Sequence, residues 1–246
     1  MSEGFILTPI ETVTARLVTY EWAWARDNAE TIAENWRRRC AARSGLFDGR
    51  VLLASGYRIE ATTCSVEMFE TSYASFITHK DLGSPDAAVA NAFAAIVPRG
   101  VDGAVLLGVM GGHTANAGQI YFPCGTPDLG DVREGGEIDL AGSAAREFTE
   151  ETGLTLPPDA SERWLLARGE GQLAFLNAVT FPEPGAVLQN RMEKHRFAEA
   201  EPELDGFVVV RAPGDVDTRR MPAFVRAYLR HALMRSATLP SWSRSD

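Results

Sequence analysis

The chain has 246 residues, 45% hydrophobic and 23% charged, which is the balance of an ordinary globular protein with material for a sizeable core. Its net charge of −9 argues against a nucleic-acid partner and makes a local positive group necessary for any anionic substrate. No apolar run approaches a membrane span. Met1-Ser2-Glu3-Gly4 lack a signal-peptide pattern, and Cys40, Cys64 and Cys124 have no metal-type spacing, so the expectation is a cytoplasmic protein without membrane contact, disulfides or zinc.

In chain order, residues 14–20 alternate as a strand does, and residues 26–43 read as a helix. Arg37, Arg38 and Arg39 are consecutive, so on a helix they point in different directions and read as a solvated face rather than a phosphate clamp. Trp22, Trp24 and Trp36 read as packing residues. After the turn Gly45-Leu46-Phe47-Asp48-Gly49, residues 50–54 and 57–63 suit a pair of strands. Residues 80–89, with Gly83-Ser84-Pro85-Asp86, form a connection. The apolar run 87–97 fits either a helix or a strand, and residues 103–109 read as a buried strand. The glycine-rich residues 111–118 lack the lysine and serine of a P-loop and suit a hairpin-type connection. His79, His113, His195 and His231 form no ligand pair.

Residues 140–152 read as an amphipathic helix, with Ala141, Ala144, Ala145, Phe148 and Thr152 on one face. Asp139 can cap its start, and Gly153 can end it in a left-handed turn. At about 100° per residue, Glu147 and Glu151 share the other face, with Glu150 beside them. Like charges at this spacing repel unless a positive group sits among them. Arg146 is one such group and a divalent cation is the stronger one, since magnesium is commonly held by a few carboxylates together with substrate phosphates. Pro157 and Pro158 end this region. Residues 163–168 and 172–181 then read as strands, 185–200 as a charged helix, 206–211 as a strand and 222–235 as an amphipathic helix. An acidic cluster, Glu199, Glu201 and Glu203, precedes the strand at 206.

The stretch Arg146-Glu147-Phe148-Thr149-Glu150-Glu151-Thr152-Gly153-Leu154 resembles the second half of the Nudix box at every fixed position. With each of its five fixed residue types at roughly one in fifteen to one in twenty by average usage, a chance match is very improbable. The first half of the box departs from the pattern. Val132 and Ile138 stand where the family has a glycine 14 and a glutamate 8 positions before the arginine. Tyr121-Phe122-Pro123-Cys124-Gly125-Thr126 is similar to the strand and glycine that open such a box, 21 positions before Arg146, which implies a seven-residue insertion in the turn-rich, acidic residues 127–136. Asp139 then stands near the place of the missing glutamate, or serves only as a helix cap.

That resemblance implies an α/β fold: a Nudix α/β/α sandwich with a mixed sheet over residues 101–246, preceded by a smaller N-terminal α/β module, residues 1–100, packed on it. It implies Mg²⁺ (or Mn²⁺) held by Glu147, Glu150, Glu151 and Gly125. The expected catalytic set is Arg146, Glu147, Glu150, Glu151 and Glu203, with Arg146 holding the carboxylates and a glutamate of the helix or of 199–203 as base. Glu201 and Glu203 are also readable as a solvated acidic turn. The implied activity is metal-dependent hydrolysis of the phosphoanhydride of a nucleoside diphosphate linked to another group, of UDP-sugar or ADP-ribose type. The order Trp36, Leu46-Phe47-Asp48-Gly49, Tyr73-Ala74-Ser75-Phe76 loosely resembles a UDP-sugar-hydrolysing subgroup. The alternative is a Nudix scaffold that binds a nucleotide without cleaving it. Oligomeric state stays open, a homodimer included.

Overall fold

A computed structural model describes residues 4–43 and 45–237; Met1, Ser2 and Glu3 of the N-terminal reading lie outside the described residues. The architecture is mixed α/β, as expected, with strands and helices interleaved around one main sheet. The strands are β1 (Ile6–Ile10), β2 (Thr12–Leu17), β3 (Arg50–Glu60), β4 (Thr63–Ser72), β5 (Asn91–Gly100), β6 (Val105–Met110), β7 (Ile120–Tyr121), β8 (Trp164–Gly169), β9 (Gln172–Phe181) and β10 (Leu204–Val210). The helices are α1 (Ala23–Asp27), α2 (Ala29–Ala42), α3 (Tyr73–Asp81), α4 (Leu140–Thr152), α5 (Gly185–Ala198) and α6 (Ala223–Ala237).

The main sheet runs β1-β8-β9-β5-β6-β10, with β7 paired to β6. β5 and β9 are parallel; the other pairs are antiparallel. β5 is buried almost without interruption, the signature of a strand covered on both faces. This settles residues 91–97 of the ambiguous run 87–97 as strand, with a turn before them, because the ten-residue register with β9 satisfies a backbone that the sequence leaves uncommitted. α4 and α5 pack against β5, and α6 meets β8 and sends Phe224 against Phe93 of β5 with ring centroids 5.5 Å apart.

A second, three-stranded sheet has the order β2-β4-β3. Two sequence expectations are corrected here. The proposed strand pair at 50–54 and 57–63 is a single strand, β3, in which an irregularity between Ala54 and Gly56 absorbs the bend. Its partner is β4, whose buried Val66 and Met68 alternate with exposed Ser65 and Glu67. The helix read over residues 26–43 is two helices broken at Asn28, whose side-chain amide donates to the Trp24 carbonyl at 2.8 Å. Arg37 and Arg38 are exposed as expected, but Arg39 turns inward to pair with Asp81 and donate to the Ala115 carbonyl. Buried Asn35 ties α2 to α3 by donating to Thr78 Oγ1 at 3.0 Å and Asp81 Oδ2 at 2.9 Å.

β1 and β5 both belong to the main sheet although they come from the first hundred residues. One core cluster takes in Leu52, Val66 and Met68 of the small sheet together with Ile96, Phe148 and Phe175. Trp22 is buried against Phe69 and His79, and Trp36 meets the Tyr73 ring edge-on, so both pack. All three cysteines are free thiols, and no described helix is long and apolar enough to cross a membrane.

Candidate metal and phosphate site

α4 forms where its sequence dictates. Asp139 accepts from the Gly142 N–H at 2.8 Å, and Gly153 ends the helix at φ 67°. Phe148, fully buried, anchors the apolar face at a gain of about 2–3 kcal/mol. The opposite face then presents Arg146, Glu147, Glu150 and Glu151 in the expected order.

The four side chains differ in setting. Glu151 is only 8% exposed, and its Oε2 has no hydrogen-bond partner. Burial, followed by the nearby charges of Glu203, Glu147 and Glu150, raises its carboxyl to about 9. Glu147 is partly buried and accepts from Arg146 Nη1 at 2.6 Å; burial pushes its carboxyl up while Arg146 pulls it down. Glu150 is 61% exposed, its nearest cation Arg146 at 3.3 Å, so it stands at the margin of the cluster. Arg146 thus pairs with both Glu147 and Glu150.

Glu203, immediately before β10, lines the same cleft as Gly125, and its charge adds to what raises Glu151. Its carbonyl accepts from the Gly111 N–H at 2.8 Å, fixing the segment. Although solvent-accessible as a residue, Glu203 lines the cleft, and partial desolvation there raises its carboxyl while the facing His113 lowers it. Glu201 is exposed and does not line this cleft. Gly125 abuts the same group: a Cβ there would lie 2.9 Å from Glu147 Oε2. Glycine is what lets that backbone approach the carboxylate.

Sequence reasoning did not single out Asp131. It lies in a short 3₁₀ turn, Leu129–Asp131, where its side chain accepts from the Asp128 N–H at 3.1 Å and, 7% exposed, from Arg146 Nη2 at 3.0 Å. The signal was Asp128-x-x-Asp131, a capping box. Asp139, by contrast, acts as the helix cap and pairs with Arg133. Residues 127–136 are held down as well. Leu52 N–H donates to the Pro127 carbonyl at 2.7 Å and Leu17 N–H to the Gly136 carbonyl at 2.8 Å, which fastens this loop to β3 and β2. The glycine-rich residues 111–118 join β6 to β7 as a hairpin, as read from sequence.

Among the described residues no three His, Cys, Asp or Glu side chains stand close enough to hold a metal ion as they are. Glu147's carboxylate is engaged by Arg146. The donor set nevertheless fits a hard divalent cation: it is all oxygen, it is mutually repulsive, and one buried carboxylate oxygen of Glu151 lacks any partner.

No family model matches the chain, and no curated protein matches it. Among solved structures, it is similar to the MutT protein of Methanosarcina mazei Go1 at 17% identity, covering 61% of this chain and 98% of that one with a TM-score of 0.40. At that score the likeness carries no functional weight.

Proposed function

We propose that the protein is a Nudix-type hydrolase that cleaves the phosphoanhydride of a nucleoside diphosphate linked to another group, using Mg²⁺ or Mn²⁺. The observation that carries this reading is Glu151: a carboxylate buried next to two others, with an unpartnered oxygen, on a helix whose sequence matches the second half of the Nudix box. A side chain so placed weakens the fold, and such a cost is usual at functional sites.

Glu147, Glu151 and Glu203, with the backbone at Gly125 and with Glu150 at the margin, would hold the cation. When bound, it supplies positive charge to the diphosphate oxygens and lowers the pKa of an attacking water. Arg146 orients Glu147 and Glu150 by charge-assisted hydrogen bonds and is itself anchored on Asp131. Glu203, reaching the cleft from a different element than α4, is suited to accept the water's proton at its side-chain carboxylate. The N-terminal segment, residues 1–100, supplies α3 and β5 to the cleft wall, and we assign it the shaping of the substrate pocket.

The test is a screen of purified protein with Mg²⁺ against UDP-sugars, ADP-ribose, dinucleoside polyphosphates, NADH and nucleoside triphosphates, reading phosphate released after phosphatase coupling. Metal-dependent turnover that vanishes in Glu151→Gln supports the reading. Turnover that persists near the wild-type rate in that variant assigns the chemistry elsewhere. Binding of one of these compounds without turnover favours a nucleotide-binding module.

A further inference from the structure

A cavity of about 420 Å³ opens beside the carboxylates. Its lining runs from Gly125 and Glu203 to the rings of Phe76, Phe93 and Phe224. The volume suits a small organic ligand, and the lining sets these rings among many polar side chains, Asn91, Asn116, Gln119 and Gln172 included. Among the described residues of that lining, Lys80 of α3 is the one lysine or arginine.

The setting of Lys80 is unusual for a lysine. It is half-buried, and among the described residues no carboxylate pairs with it. Its ammonium donates to Asn116 Oδ1 at 2.9 Å, and Asn116 donates in turn to Tyr121 Oη at 3.1 Å. An ammonium has three N–H donors, and Asn116 accounts for one. Lys80, Cys124, Gly125 and Glu203 line the same cavity, which places the ammonium in one cleft with the acidic cluster. A lysine that merely packed its methylenes would keep its head in water. This one keeps it at a cavity wall on a neutral amide.

We propose that Lys80 binds substrate: its ammonium takes a phosphoryl oxygen of a nucleoside diphosphate derivative whose base lies along Phe76, Phe93 and Phe224. This deepens the hydrolase reading and rests on it for the position of the diphosphate. It also meets the demand set by the chain's net charge of −9, since the cavity needs a cation of its own where the phosphate enters. Asn116 is a positioning residue, fixing the ammonium from the hairpin between β6 and β7.

The experiment is calorimetric titration of α,β-methylene analogues of the four common nucleoside diphosphates, which cannot be hydrolysed, and of the matching uncharged nucleosides, in magnesium buffer. For the best-bound pair, Lys80→Met is expected to weaken the diphosphate analogue at least tenfold and to leave the nucleoside within about twofold, with Lys80→Arg restoring part of the loss. Equal weakening of both probes, no weakening of either, or no binding by the wild type overturns the proposal. Failure of the hydrolase reading shows separately: a wild type that binds with Lys80 dependence but never turns over keeps this site and loses the reaction. Turnover lost in Glu151→Gln with an unchanged KM in Lys80→Met does the reverse.

Discussion

Glu151→Gln is expected to make the metal-free protein more stable, by an amount that grows with pH. The folded protein holds the Glu151 proton up to about 9, whereas the unfolded chain releases it near the ordinary 4.5. The contribution of this carboxyl to stability is therefore full below about pH 4.5, declines as pH rises, and is lost above about pH 9. The decline is about 1.4 kcal/mol per pH unit, so at pH 7 it amounts to about 3 kcal/mol. Glutamine has the same shape and no proton to lose. In a chain of this length the gain corresponds to a Tm rise of roughly 6–12 °C at pH 7, shrinking to little at pH 5. Urea unfolding of both proteins with a chelator at pH 5, 6, 7 and 8 reads it directly. Parallel stability profiles for the two proteins would refute the reasoning, because they would mean that Glu151 ionises in the folded state as it does in the unfolded one.

Gly125→Ala is expected to fold normally but to lose at least tenfold in metal-dependent activity, since its Cβ would displace the Glu147 carboxylate from 2.9 Å; circular dichroism and a rate assay check it. Arg146→Ala strips Asp131 of its charge partner and should destabilise by about 2 kcal/mol in urea unfolding, the exposure of Arg146 moderating the loss. Gly153→Ala places a side chain at φ 67° and against the His195 ring, so a loss of about 2 kcal/mol is expected from the same measurement. Because a cation must displace the Glu151 proton, apparent Mg²⁺ affinity should rise from pH 6 to pH 8, which calorimetry in two buffers of different ionisation heat reveals as proton release.

What could be read in the sequence was local. The bounds of α4 follow from Asp139, Gly153 and the apolar stripe through Phe148, all within one segment. The Gly111–Gly118 hairpin and the helix α6 follow from glycine clustering and periodicity in the same way. What escaped depends on partners distant in the chain. Residues 91–97 of the run became a strand through pairing with β9, some 80 positions away. Asp131 acquired its role only when the loop folded back onto Arg146. Lys80 and Asn116 reveal nothing until α3 and the β6–β7 hairpin close on one cavity. At the site, spacing put Glu147 and Glu151 on one face with Glu150 beside them, and says nothing of how far each is buried. Only the packing of α4 separates a carboxylate that is 8% exposed from one whose side chain is 61% exposed.

The most direct measurement of whether Glu147, Glu151 and Glu203 form one divalent-cation site is Mn²⁺ titration followed by electron paramagnetic resonance, which counts free ion and needs no substrate. The wild type is expected to take up Mn²⁺ at pH 8, and Glu151→Gln and Glu203→Gln each to weaken it at least tenfold, with Glu150→Gln changing it less. Unaltered Mn²⁺ uptake in Glu151→Gln would contradict the site at its centre.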